Sequence, residues 1–296
     1  MGNDETSVGL NPPKFISSSS AGTFEQCPQK WRFRYIDKLP DPPGRAALLG
    51  TYIHAVLERL YQQPSQQRTT DKAKEIAREI WGSASEDPDY LALELNDEEE
   101  KEFRWDIRRG FDGVWAIEQY HPEKVKVEST ERNVQVQIGN VPFKGIIDLV
   151  HREDGELVVS DFKSGKKPRS HQEEKKKMKQ VLLYAAALKE IDKETPKKVR
   201  LVFIGDQTNL HYEQTVTDSE LEEPIRELHE TWKELSTACA NDEFQTRTSA
   251  LCEWCPYIAK CSNGQEKVLE RFRAGRIRED APAMTLMNLS GTQVNH

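Results

Sequence analysis

The chain has 296 residues, 36% of them apolar and 31% charged, with a formal net charge of −8. That length allows one large domain or two small ones, the acidic balance argues against a general polyanion binder, and no run approaches the roughly 18 apolar residues of a membrane span. Five cysteines behind a polar, acidic start, Met1 to Leu10, lack a signal peptide's pattern; they point to a cytoplasmic protein that ligates a metal or cluster rather than forming disulfides.

Residues 1–16 read as a flexible arm. Ser17 to Ser20 offer caps for a helix over about Ala21 to Tyr35. That segment contains Cys27-Pro28 and the series Trp31, Arg32, Phe33, Arg34, Tyr35, read as a partly buried aromatic face with some arginines free to meet phosphates. Three prolines between Pro40 and Gly44 mark a loop. A helix follows over about Ala46 to Gln62, with Ile53, Leu57, Leu60 and Tyr61 as its apolar stripe and His54 at the stripe's edge.

Residues 64–122 read as a polar helical insertion over the sheet. Its candidate helices, Asp71 to Trp81 and Glu98 to Tyr120, have solvated charged faces and are joined by an acidic loop at Asp87-Pro88-Asp89. Alternating apolar residues then predict strands near Val125 to Val127 and Val134 to Ile138. Glu128 and Glu131 fall between them and could approach a metal or face solvent.

Phe143 to Val150 and Glu156 to Phe162 are strand-like, and Asp154-Gly155 between them is a hairpin signal, because primed turns need positive φ. This apolar hairpin contains Asp148, Asp161 and Lys163. Buried carboxylates are costly unless compensated, and a divalent cation would compensate them. Asp161 and Lys163, two apart, share a strand face, and Asp148 can meet them from the neighbouring strand. Two carboxylates and an ammonium around a hard, oxygen-ligated Mg2+ or Mn2+ suit phosphodiester hydrolysis. The plain alternative is a surface hairpin with an ordinary Asp–Lys pair.

Beyond it, Lys166, Lys167 and Arg169 form a basic loop, and Lys175, Lys176, Lys177 and Lys179 lie on a helix running to about Ile191. This densest positive region is a candidate contact for a DNA backbone. Gln180 and Tyr184, four apart, share a face of that helix. Lys198 to Gly205 and Leu210 to Val216 read as strands. A helix from Thr217 or Asp218 to about Asn241 follows, and residues 271–296 read as a disordered tail.

Cys252, Cys255 and Cys261 make a C-x2-C-x5-C set, with Cys27 the candidate fourth ligand and Cys239 a structural thiol. Four thiolates suit Zn2+ or an iron–sulfur cluster, and the spacing leaves both open. Either would staple the N- and C-terminal segments together.

The segments GTYIH (Gly50 to His54), GIIDLV (Gly145 to Val150), SDFKSG (Ser160 to Gly165) and QVLLY (Gln180 to Tyr184), with Cys27-Pro28 and the cysteine trio, occur in one order from about residue 17 to 262. Together they resemble the RecB-like branch of the PD-(D/E)XK nucleases. The likeness is to its iron–sulfur members, such as the AddB C-terminal nuclease domain and the small CRISPR-adaptation exonucleases. The resemblance implies an α/β fold, a restriction-endonuclease-like mixed central sheet flanked by helices, in one domain over 17–270. It implies His54, Asp148 and Asp161 as metal ligands aided by the Phe162 carbonyl, Lys163 as the catalytic lysine, and Gln180 and Tyr184 as orienting residues. Glu131 matches an acidic family position better than Glu128. Cys27, Cys252, Cys255 and Cys261 would hold a [4Fe-4S] cluster. The third motif reads DFK where DYK is common, which leaves metal binding intact. The implied activity is Mg2+- or Mn2+-dependent DNA cleavage, exonucleolytic on single-stranded ends, in repair, recombination or replication, with a protein partner in such a complex. The rivals are a structure-specific endonuclease and a non-catalytic DNA-binding subunit. No G-x-x-x-x-G-K-[ST] loop accompanies these motifs, so the expectation is a stand-alone nuclease or a subunit rather than a helicase–nuclease fusion.

Overall fold

Proline decides the first structural break. The residue before a proline is pushed out of the α region, and Cys27 is extended at φ −162° and ψ 109°. The single helix expected over 21–35 is therefore two in the computed structural model, which describes residues 9–116, 121–165, 167–168, 170–205 and 211–289: α1 (Ser18–Gln26) and α2 (Pro28–Tyr35). After them come α3 (Arg45–Tyr61), α4 (Thr70–Ala84), α5 (Pro88–Leu91) and α6 (Asp97–Asp112). The acidic loop thus contains a short helix, whose Asp87 cap accepts from the Asp89 amide. Then follow β1 (Lys126–Ile138), β2 (Val141–Glu153), β3 (Glu156–Lys163), α7 (His171–Asp192), β4 (Lys198–Phe203), β5 (His211–Thr215), α8 (Asp218–Asn241), α9 (Ser262–Arg273) and α10 (Pro282–Leu286).

The chain divides into two compact units, residues 1–41 with 228–296, and residues 42–227. The second holds the sheet. Its described strands run in the order β1-β2-β3-β4-β5, antiparallel except for the parallel β3–β4 pair. This is the expected mixed sheet flanked by helices. The parallel pair needs a crossover, and α7 supplies it. Asp154 and Gly155 both have positive φ, 50° and 89°, as a type I′ turn requires. The two short strand signals near Val125 and Val134 are one long strand, irregular between Val127 and Ser129. Leu57, Leu60 and Tyr61 of α3 are buried with Phe103, Phe111, Leu149 and Phe162, and the Tyr61 and Phe162 rings stack at 5.9 Å.

In the other unit, residues 9–16 of the stretch expected to be a free arm are held, and residues 1–8 lie outside the described residues. The Leu10 amide donates to the Cys239 carbonyl at 2.8 Å, and Ile16 is fully buried. Trp31 is sandwiched among Phe24, Tyr35 and Phe244. The expected disordered tail from 271 also differs. The last turn of α9 and all of α10 are helical, and Ala283 and Leu289 are buried with Ile258 and Val268. A polar composition hid these few apolar anchors. Residues 290–296, the end of the second insertion helix expected at Tyr120, and Lys166, Arg169 and Leu210 lie outside the described residues.

Candidate active site

Five elements of the sheet-bearing unit, α3, β1, β2, β3 and α7, bring the site together. β2 and β3 pair with Leu149 opposite Ser160, so Asp148 and Asp161 are the next residues along. The Asp148 Oδ2 accepts the Phe162 amide at 2.7 Å and lies 3.5 Å from His54 Nδ1. His54 reaches it because α3 lays Ile53, Val56 and Leu57 into the core and leaves the imidazole on the flank.

Asp161 is 2% exposed. Its Oδ1 accepts from the Gln180 side-chain amide at 3.0 Å. Its Oδ2 lies 2.6 Å from Lys163 Nζ, but off the hydrogen-bond direction, so that buried oxygen accepts from no donor among the described residues. Gln180, on α7, is the organiser. Its Oε1 accepts from Lys163 Nζ at 3.0 Å and its Nε2 also reaches the Tyr184 hydroxyl at 2.9 Å. Tyr184 lies against Gly145 of β2; a Cβ there would stand 2.5 Å from the ring's Cε1. Only glycine leaves space for the tyrosine.

Glu131 joins the group. Its carboxylate, the Asp148 carboxylate and the His54 imidazole have ligand atoms all within 4.8 Å of one another. The tightest cluster thus contains Glu131, with Asp161 beside it, rather than the His54–Asp148–Asp161 trio expected. β1 aims Glu131 by an unusual backbone, φ 44°, which costs a non-glycine residue about 1 kcal/mol or more. Periodicity cannot show such a kink; the acid standing between two strand signals was the only hint.

The electrostatics are those of acids crowded without enough positive charge. Burial, then the charge of Asp148, pushes the Glu131 carboxyl up to about 7. Burial and Asp148 likewise push Asp161 up, against the pull of Lys163. Burial lowers His54, but its hydrogen bond to Asp148 and the charges of Asp148, Asp161 and Glu131 outweigh it and the net shift is upward. Burial raises the Tyr184 phenol, which therefore stays neutral. A hard divalent cation answers all three features at once: the oxygen set, the raised acids and the Asp161 oxygen without a donor.

Part of the basic run is less available than its sequence suggests, while Lys176 and Lys177 are exposed. Lys175 pairs with Glu223 and Lys179 with Glu227, each at 2.8 Å. In the other unit Arg32 pairs with Asp242 at 2.8 Å and Arg34 with Asp41 at 3.4 Å. These arginines hold the fold rather than presenting a row for phosphates.

The cysteines gather within the unit built from both chain ends. Cys27, Cys252, Cys255 and Cys261 line one pocket with Lys30, Phe33 and Ile258. The Ser249 amide points to Cys252 Sγ and the Gly264 amide to Cys261 Sγ, both at 3.4 Å. All four are free thiols, as is the buried Cys239.

Comparison with known proteins agrees with this architecture. A family model described as the PD-(D/E)XK nuclease superfamily matches residues 16–262. The Gene 69 protein of Mycobacterium phage D29 is 25% identical over 181 residues, 51% of this chain and 63% of that protein. The chain thus spans less than two thirds of the length of that relative. Among solved structures, a candidate exonuclease from Eubacterium rectale superposes with a TM-score of 0.51 at 10% identity, over 94% of this chain and 93% of the other. At that identity the match concerns the fold.

Proposed function

The chain belongs to the PD-(D/E)XK nuclease superfamily, and we propose that it is a divalent-metal-dependent deoxyribonuclease, an exonuclease acting on single-stranded DNA ends in repair, recombination or replication. The observation that carries this reading is the convergence of His54, Glu131 and Asp148 beside the donor-free oxygen of Asp161. Those residues would hold Mg2+ or Mn2+. The Phe162 carbonyl would assist, because a strand residue turns its N–H and C=O to the same side and this N–H faces Asp148. When bound, the ion supplies a water of lowered pKa and screens a phosphoryl oxygen.

The remaining roles belong to the chain. Lys163 places a fixed ammonium where negative charge grows on the phosphate. Gln180 holds that ammonium and Asp161 in register through two hydrogen bonds, and Tyr184 locks the Gln180 side chain. His54 holds Asp148 from the other side.

The four cysteines of the pocket, Cys27, Cys252, Cys255 and Cys261, would hold a [4Fe-4S] cluster, with Zn2+ the alternative that the same thiolate set suits.

The test is cleavage of end-labelled linear single strands with Mg2+ or Mn2+, beside covalently closed circles. Linear strands should be degraded and circles left intact; cut circles would favour the structure-specific endonuclease. Asp161→Asn and Lys163→Ala should each lower the rate by at least 100-fold, in line with losing one electrostatic group, without lowering Tm. Full activity in both variants would overturn the assignment, and an inert wild type would favour the DNA-binding subunit.

A further inference from the structure

The helical layer of the same unit carries a feature that hydrolysis does not use. On α4, Lys74, Arg78 and Trp81 follow at steps of four and three, hence on one face. On α6, Lys101, Trp105 and Arg108 do the same, with Arg104 beside them. The two faces border a cleft of about 380 Å3 lined by these five cations and two indoles and by no carboxylate.

Solvated helix faces in an acidic chain normally mix their signs. Here the acids on α4 and α6 turn largely elsewhere: Glu79 to Arg59, Glu102 and Asp106 to Arg45. At the rim, Asp71, Glu100 and Asp112 partly offset Lys74, Arg104 and Arg108. Among the described residues Arg78 and Lys101 have no carboxylate within 4.0 Å. Trp105 is 55% exposed, with the Arg108 guanidinium 5.2 Å from its ring; Arg104 lies 5.2 Å from the ring of Trp81. Flat aromatic surface in one cleft with a guanidinium and an ammonium that no carboxylate pairs among the described residues, Arg78 and Lys101, is the combination that binds unstacked bases and their phosphates.

We propose that this cleft is a second binding site for single-stranded DNA, stacking a base on Trp105 and seating adjacent phosphates on Arg78, Lys101 and Arg104; the substrate class rests on the nuclease reading above. Its volume suits about one nucleotide, at the lower end of small-ligand pockets. Its position relative to the acids follows from α3. Tyr52 packs toward the cleft, its ring 6.4 Å from that of Trp81. His54, two residues later, is rotated by about 200° around the same helix. The cleft and the hydrolytic site therefore flank opposite sides of α3, and a strand must run several nucleotides to touch both. The cleft would grip the strand away from the scissile bond.

The experiment is a fluorescence-anisotropy titration of a labelled oligothymidylate of about 20 nucleotides, longer than a single-strand site, against the full chain in EDTA at several salt concentrations. Trp105→Ala should weaken binding about tenfold or more, within the range for one lost base stack, and Trp105→Phe should retain most of it. Arg78→Ala with Arg104→Ala should lower the salt slope by about 1.4, the value for two lost phosphate contacts. In metal, the same variants should raise KM for long single strands and leave kcat unchanged. Unaltered affinity and slope in all of them overturn the cleft even if the wild type cleaves DNA. Weakened binding sustains it even if the wild type proves inert, in which case the nuclease reading alone falls.

Discussion

Glu131 shows how much one residue's backbone decides. Its φ of 44° is a strain that glycine would not feel, while its carboxylate is the one that closes the cluster with His54 and Asp148. Stability and function therefore pull in opposite directions here. Glu131→Gly should leave Tm unchanged or raise it, since relieved strain of about 1 kcal/mol offsets glycine's entropy cost. The same variant should lose most of the Tm increase that Mn2+ gives the wild type. Glu131→Gln should lose that increase too, without any gain in metal-free stability. Thermal unfolding of the three proteins with and without Mn2+ checks this, and an undiminished Mn2+ shift in both variants would remove Glu131 from the ligand set.

At the scale of elements, the sheet holds a buried polar network on the other side of β3 from its catalytic face. His151 Nε2 and the Ser160 hydroxyl are 2.9 Å apart, and Arg200, 2% exposed, is gripped by Glu153 and Glu213. Burial pushes His151 down to about 4, Arg200 adding to the effect and Glu153 opposing it. The folded state thus binds fewer protons than the unfolded one, whose histidine titrates at about 6.5. The stability that neutral His151 allows is complete above pH 6.5 and is lost as pH falls toward 4, at a cost of roughly 2 to 3 kcal/mol by pH 4.5. Urea unfolding at pH 7 and 4.5 should show a smaller acid loss for His151→Gln than for the wild type. Equal losses would show that other groups govern the acid limb. The elements were legible where one physical rule dominated. The Asp154-Gly155 turn fixed the hairpin, and the Ile53, Leu57, Leu60 spacing fixed α3. They were misread where rules competed. Pro28 broke a helix that the aromatic series seemed to continue, and Asp87-Pro88 capped a helix where it looked like a loop. Lys175 and Lys179 of the α7 run read as open to phosphates because the acids that pair with them lie on α8, about 45 residues away in the chain. Local patterns carry periodicity and turn chemistry; they do not carry long-range charge pairing.

For the whole molecule, the two chain ends share one unit, residues 1–41 with 228–296. Its four candidate ligand cysteines sit at element junctions: Cys27 between α1 and α2, Cys261 at the cap of α9, and Cys252 and Cys255 in the turn between α8 and α9. Junctions are where the chain has least secondary structure to fix it, so a shared cofactor would contribute most there. The apolar cluster beside the C-terminal cysteines is modest: Ile258, Val268, Ala283 and Leu289 are its buried members. Cys27→Ser removes one thiolate and leaves the sheet-bearing unit's sequence untouched. The wild type isolated without oxygen should contain iron rather than zinc, show broad visible absorbance, and unfold in a single calorimetric transition. The variant should lose the absorbance and show an earlier, separate transition for the terminal unit, because independent units melt independently. A transition unchanged in both temperature and width, in a variant that has lost its iron, would mean that packing alone holds the chain ends and that the cofactor serves some other purpose.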